Sequence, residues 1–95
     1  MARAENVSIP PGEVVQLTNA DVSGNITIQN SGGYQIRVLG TATDTAPTVE
    51  DFRRGLRFNP VDAHPGTIDE LFPGAGYLRL WAYSQVGGSV TVDHE

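Results

Sequence analysis

Cysteine is absent from the 95 residues, so this chain can form no disulfide framework, thiolate nucleophile or cysteine-ligated metal site. Lysine is absent too. All six basic residues are arginines, which suits fixed, planar pairing better than a solvating fringe, although high-GC codon usage produces the same bias. Eleven acidic residues against six basic ones give a net charge of −5. An acidic domain of this size repels phosphate backbones, so no nucleic-acid partner is expected. No apolar run approaches the ~18 residues of a membrane span. Met1-Ala2-Arg3-Ala4-Glu5 lacks an apolar signal core. The expectation is a chain made in the cytoplasm that contacts no membrane.

Signatures of chemistry are equally sparse. His64 follows Asp62 and His94 follows Asp93, but these spacings match no zinc or calcium loop, and neither a metal nor a cofactor is expected. No Gly-x-Ser-x-Gly elbow is present. The carboxylate pairs Glu50-Asp51 and Asp69-Glu70 stand where helix capping would use them, and so short a chain has little room for a glycosidase cleft. The chain is therefore read as a non-enzyme with no catalytic residue.

What is present is alternation. Ile26 and Ile28 alternate with Thr27 and Gln29, and Tyr34, Ile36 and Val38 alternate with Gln35 and Arg37. This is the period-2 pattern of strands with one buried face. Asn30-Ser31-Gly32-Gly33 between them tolerates positive φ, so 25–39 reads as a hairpin. Shorter strands are expected at Val7–Ile9, Val14–Leu17, Leu56–Phe58 and Ser89–Val92. Tyr77–Ser84 reads as the strongest strand, with bulk on both faces: Leu78, Leu80 and Ala82 on one, Arg79, Trp81 and Tyr83 on the other. Gly87-Gly88 suggests a second hairpin. Val61–Gly66 reads as loop, and Asp93-His94-Glu95 as a frayed end. Thr67-Ile68-Asp69-Glu70 fits a capping box that opens a helical turn, with Ile68, Leu71 and Phe72 as its apolar plug. The sum is an all-β fold: a small antiparallel β-sandwich or barrel, jelly-roll-like, with six to eight short strands and one short helical turn. Residues 1–12 read as an N-terminal arm and 13–95 as a single sandwich domain.

The order of these segments resembles a family. Ile26–Val38, Ala46–Thr48, Leu56–Pro60, Asp69–Gly74 and Leu80–Val92 are similar to motifs of small structural proteins of tailed bacteriophages, in particular capsid decoration (cement) proteins. The resemblance implies a non-enzymatic protein on the virion surface. Its partner would be the major capsid protein, and it would be a homo-oligomer, with a trimer favoured. Candidate contact residues are Val7, Ile9 and Pro10 of the arm, the cluster Arg53, Arg54 and Arg57, and Trp81, which serves either the core or a subunit interface. Two other roles fit the same composition. One is a head-tail connector, neck or fibre-base subunit. The other is a carbohydrate-binding module using Trp81 and Tyr83 as a stacking platform.

Overall fold

The alternating segments resolve into eight strands in a computed structural model that describes residues 3–94. They are β1 (Arg3–Ile9), β2 (Val14–Gln16), β3 (Asn25–Asn30), β4 (Ile36–Thr41), β5 (Leu56–Phe58), β6 (Ala63–Thr67), β7 (Arg79–Tyr83) and β8 (Gly88–His94). A 3-10 turn spans Glu50–Arg54, and a single α-helical turn, α1, spans Ile68–Leu71. The strands form two four-stranded antiparallel sheets. Sheet A has the order β1-β8-β3-β6 and sheet B the order β2-β7-β4-β5.

The pairing has a simple logic. The first strand pairs with the last, the second with the seventh, the third with the sixth and the fourth with the fifth. The chain is thus a long ribbon doubled back on itself and then rolled, with β3–β8 and β4–β7 contacts closing the roll. That arrangement is an eight-stranded jelly roll.

Rolling places the alternating apolar residues of the two sheets face to face. Ile26, Ile28, Val90 and Val92 of sheet A meet Ile36, Val38, Leu80 and Ala82 of sheet B, all at 1% exposure or less. Each such aliphatic side chain contributes roughly 1.5–3 kcal/mol by leaving water. Ile68 of α1 joins this core, with Leu71 and Phe72 packed half-buried against it, as the plug reading expects.

The two expected hairpins are not hairpins. β3 lies in sheet A and β4 in sheet B; β7 lies in sheet B and β8 in sheet A. Residues 31–35 and 84–87 are crossings between the layers. Alternation alone cannot tell a hairpin from a crossing, because both give each strand one buried face. The deciding factor is that Ile26 and Ile28 are buried against Ile36 and Val38, which requires them in opposite layers about 10 Å apart. The two segments do pair with each other as units, β3 with β8 and β4 with β7.

Two other segments differ from the sequence reading, and the strand expected at Val7–Ile9 begins earlier. Arg3–Ile9, within the stretch read as an arm, is a seven-residue strand in register with β8, because Val7 and Ile9 supply two core positions at the right spacing. Met1 and Ala2 lie outside the described residues. Ala63–Thr67, read as loop, pairs with β3 despite Pro65, which an edge strand tolerates. Asp93 and His94, read as frayed, pair with both β1 and β3, while Glu95 lies outside the described residues.

One polar side chain fixes the first crossing. Asn30 is 1% exposed at the end of β3. Its Nδ2 donates to the carbonyls of Tyr34 (2.7 Å) and Phe58 (2.9 Å), and its Oδ1 accepts from the Gly32 N–H (3.0 Å). Its backbone N–H donates to the Asp62 carbonyl, and its carbonyl accepts from the Val61 N–H. Val61 pays for that contact with φ at 65°, a left-handed conformation that a β-branched residue rarely adopts.

The helical turn carries its expected capping box. Thr67 Oγ1 accepts from the Glu70 N–H (3.3 Å), and Glu70 Oε1 accepts from the Thr67 N–H (2.8 Å). The Thr67 backbone N–H, then the Thr67 hydroxyl and the charge of His64, hold the Glu70 carboxyl below its ordinary range. Asp51 is lowered the same way, by the Thr48 N–H first, then the Thr48 hydroxyl and Arg54. Both carboxylates are depressed in the folded state. Their contribution is therefore complete above the unfolded carboxylate range and is lost as pH falls through the lower folded values.

Three outcomes are expected. Asn30→Ala leaves two carbonyls and an N–H without their partner and lowers the unfolding free energy by about 2–4 kcal/mol in urea titrations. Val61→Gly relieves backbone strain and raises stability by about 1 kcal/mol by the same measurement. The acid-induced loss of stability below about pH 4.5 is shallower in a Glu70→Gln/Asp51→Asn variant than in the parent, measured as urea midpoint against pH.

Candidate functional site

The outer face of sheet B is not bare. Arg37, Leu39 and Thr41 of β4 lie beside Tyr83, Trp81 and Arg79 of β7 in the observed register. Over them folds the 48–55 segment, which drops Phe52 onto Leu39 and Trp81 to make a second, smaller core. Thr48 and Asp51 hold this segment by reciprocal hydrogen bonds: the Thr48 N–H donates to Asp51 Oδ2 (2.9 Å) and the Asp51 N–H to Thr48 Oγ1 (3.3 Å). Gly55 lets it return to the sheet, because a Cβ there would meet the Val38 carbonyl oxygen at 2.8 Å. This second layer is why the Tyr77–Ser84 stretch carries bulk on both faces.

Beside the 3-10 turn runs a shallow groove. One part, about 580 Å³, is lined by Arg37, Val49, Glu50, Phe52, Arg53, Tyr83 and Gln85. The other part, about 340 Å³, shares Arg37, Tyr83 and Gln85 and continues along Tyr34 and Val86. Tyr83 stacks tilted on Phe52, with ring centroids 5.7 Å apart. The far end is formed by the two interlayer crossings, Tyr34 and Gln35 of the first lying with Ser84, Gln85 and Val86 of the second; Ser31 of the first also reaches the start of β8, its hydroxyl 2.9 Å from that of Ser89.

Among the described residues, the large hydrophobics left exposed are Tyr34, Val49, Val61 and Val86, at 62%, 46%, 77% and 59%. Tyr34, Val49 and Val86 line the groove. Val61 sits at the same end, one hydrogen bond from Asn30, whose side chain also holds Tyr34. Single exposed apolar residues are ordinary, but Tyr34 and Val86 share one end of this groove and Val49 lies further along it.

Charge gathers there as well. Arg37 and Arg57 stand directly opposite each other on β4 and β5. Like charges in that position oppose folding. Arg37 is partly compensated by donating from Nη1 to the Phe52 carbonyl (3.4 Å). Arg53 and Arg54 on the 3-10 turn lie 3.8 Å from Glu50 and 3.5 Å from Asp51. Arg53 and Glu50 are highly exposed, and such surface pairs are worth only about 0–1 kcal/mol, leaving the guanidinium free to exchange partners.

The candidate contact residues therefore divide. Arg53, Arg54 and Arg57 are exposed on one side of sheet B, and Pro10 is exposed in the β1–β2 turn. Val7, Ile9 and Trp81 are core residues at 6%, 2% and 6% exposure. Trp81 lies in the small core with Phe52 and donates from Nε1 to Thr41 Oγ1 (2.8 Å), so with Tyr83 it offers no open stacking platform. Sequence reasoning missed Tyr34, Arg37, Val49, Gln85 and Val86. Its one available signal was polar and aromatic bulk on the outward face of Tyr77–Ser84, which implies a covering segment and therefore a rim.

Two groups read for possible chemistry are taken up by the fold. His64 Nε2 lies 3.0 Å from the Thr67 carbonyl, and Glu70 belongs to the capping box. Among the described residues, no group of three or more His, Asp or Glu side chains is placed to hold a metal ion. No helix among them is long and apolar enough to cross a membrane. No family model matches the chain, and neither a curated protein nor a solved structure matches it.

Proposed function

We propose that this chain is a non-enzymatic structural protein that docks on the surface of another protein through the sheet B groove and its Tyr34 end. The observation that carries this reading is the placement of exposed Tyr34, Val49 and Val86 along one groove with Arg37 and Arg53, and of Arg57 directly opposite Arg37. Aromatic and arginine side chains around a desolvatable apolar centre, without lysine, are the composition of protein-binding patches. The directly opposed Arg37 and Arg57 support it further. A pair that costs stability within the fold gains a role if an acidic partner surface neutralises it.

The partner in this proposal is the major capsid protein of a tailed bacteriophage, with the chain serving as a decoration protein. That identity rests on the sequence resemblance of the strand and turn motifs. The mechanism is added contact area across capsomer seams, repeated over many copies, which resists pressure from packaged DNA.

The test uses purified protein and shells assembled from the major capsid protein of the phage that carries it. The protein is expected to co-sediment with the shells. Arg57→Thr is expected to weaken that binding about tenfold, the effect of losing ~1.4 kcal/mol. The same substitution should leave the melting temperature unchanged or raise it, since it removes a like-charge pair. Absence of binding by folded protein, or equal binding by parent and Arg57→Thr, contradicts the proposal.

A further inference from the structure

Four strands lie at sheet edges: β1 and β6 in sheet A, β2 and β5 in sheet B. Exposed edges invite pairing with another chain, and proteins blunt them with short strands, prolines or bulges. Three of these edges are blunted. β2 and β5 have three residues each, and the Phe58 carbonyl of β5 is taken by Asn30. β6 carries Pro65 at its centre.

β1 is neither short nor broken by proline, and its only blunting charges, Arg3 and Glu5 in the same phase as Val7 and Ile9, are spent on each other at 2.7 Å. Its seven residues run in unbroken register with β8 and contain neither proline nor lysine. Among the described residues, no backbone hydrogen bond reaches Arg3–Ile9 other than those to β8. Ala4, Asn6 and Ser8, on the outer face, are small and exposed. The strand is also locally neutral within a chain of net charge −5, because Arg3 Nε pairs with Glu5 Oε1 at 2.7 Å. Two copies can approach along this edge without opposing bulk or unbalanced charge.

We infer that β1 pairs antiparallel with β1 of a second copy, joining two A sheets into one eight-stranded sheet about a two-fold axis. Symmetry selects the second copy as occupant. One long open edge per copy is used up by a two-fold contact, which closes the assembly and leaves no edge for further growth. A three-fold ring needs two different complementary surfaces on each copy, and the blunted edges do not supply the second. The pairing also leaves the groove free on both copies, since β1 lies at the sheet margin away from β4 and β5. The dimer does not depend on what the groove binds.

Sedimentation equilibrium from ~10 µM to ~1 mM protein should give a monomer–dimer equilibrium. Ala4→Lys/Ser8→Lys, which places cations along the exposed outer face of the edge, should raise the dissociation constant at least ~tenfold. Hydrogen exchange of the parent gives a readout that does not depend on the variant folding. Amides of Arg3–Ile9 should gain protection as concentration rises, and those of β5 and β6 should not. A parent that stays monomeric, a trimer, an oligomer that survives the substitutions, or β1 exchange independent of concentration overturns the inference.

Discussion

Asn30 is the point on which the fold turns. At the end of β3 the chain must leave one layer and enter the other, and the backbone groups it exposes there need partners. A single buried amide supplies three hydrogen bonds, tying the crossing to its own far side at Tyr34 and to β5 at Phe58. Its backbone fixes the β5–β6 turn at Val61 and Asp62. Three separate segments thus meet on one residue. Such an amide is favourable only when its buried groups are satisfied, and the same requirement makes the arrangement unique. With the first crossing set, β3 and β4 are committed to opposite layers, and the ribbon rolls in one way.

That constraint also shapes the surface. Tyr34 lies in the crossing held by Asn30, and Val61 in the turn held by its backbone. Val86 lies in the second crossing, beside the first. Tyr34 and Val86 meet at one end because the interlayer connections do. The arginines arrive by a different route, through the β4–β5 register and the 3-10 turn laid over Trp81. Scaffold and site therefore share Asn30 and Phe52 as supports, although neither need touch a partner. The strained Val61 and the opposed Arg37 and Arg57 are local costs that the fold does not require, and both lie on this side of the molecule.

Much of the fold was legible in the sequence. Alternation located the strands around Ile26–Ile28, Ile36–Val38, Leu78–Ala82 and Val90–Val92, and Thr67-x-x-Glu70 located the helical turn. The class of fold followed from their number and spacing. Pairing was not legible, because a period of two gives the buried face of a strand but not its neighbour. Glycine pairs suggested hairpins at both places where the chain changes layer. β6 was hidden by Pro65, whose missing N–H matters little at an edge. The candidate site was legible only in its arginines. Tyr34 and Val86 lie about 50 residues apart in sequence, and only the adjacency of the two crossings brings them together. Of the readings open for Trp81, core, interface or platform, the sequence could not choose, because an aromatic beside a tyrosine looks the same whether open or roofed by Phe52.

The central claim is the proposal that the sheet B groove and the crossing end form the surface that meets the partner protein. Hydrogen–deuterium exchange of the protein bound to capsid shells, compared with the free protein, tests it most directly. The account predicts new protection at residues 34–37, 49–57 and 85–86, with the outer face of sheet A around Thr27, Gln29 and Thr91 unchanged. Protection confined to that outer face of sheet A, with the groove exchanging as in the free protein, would contradict it.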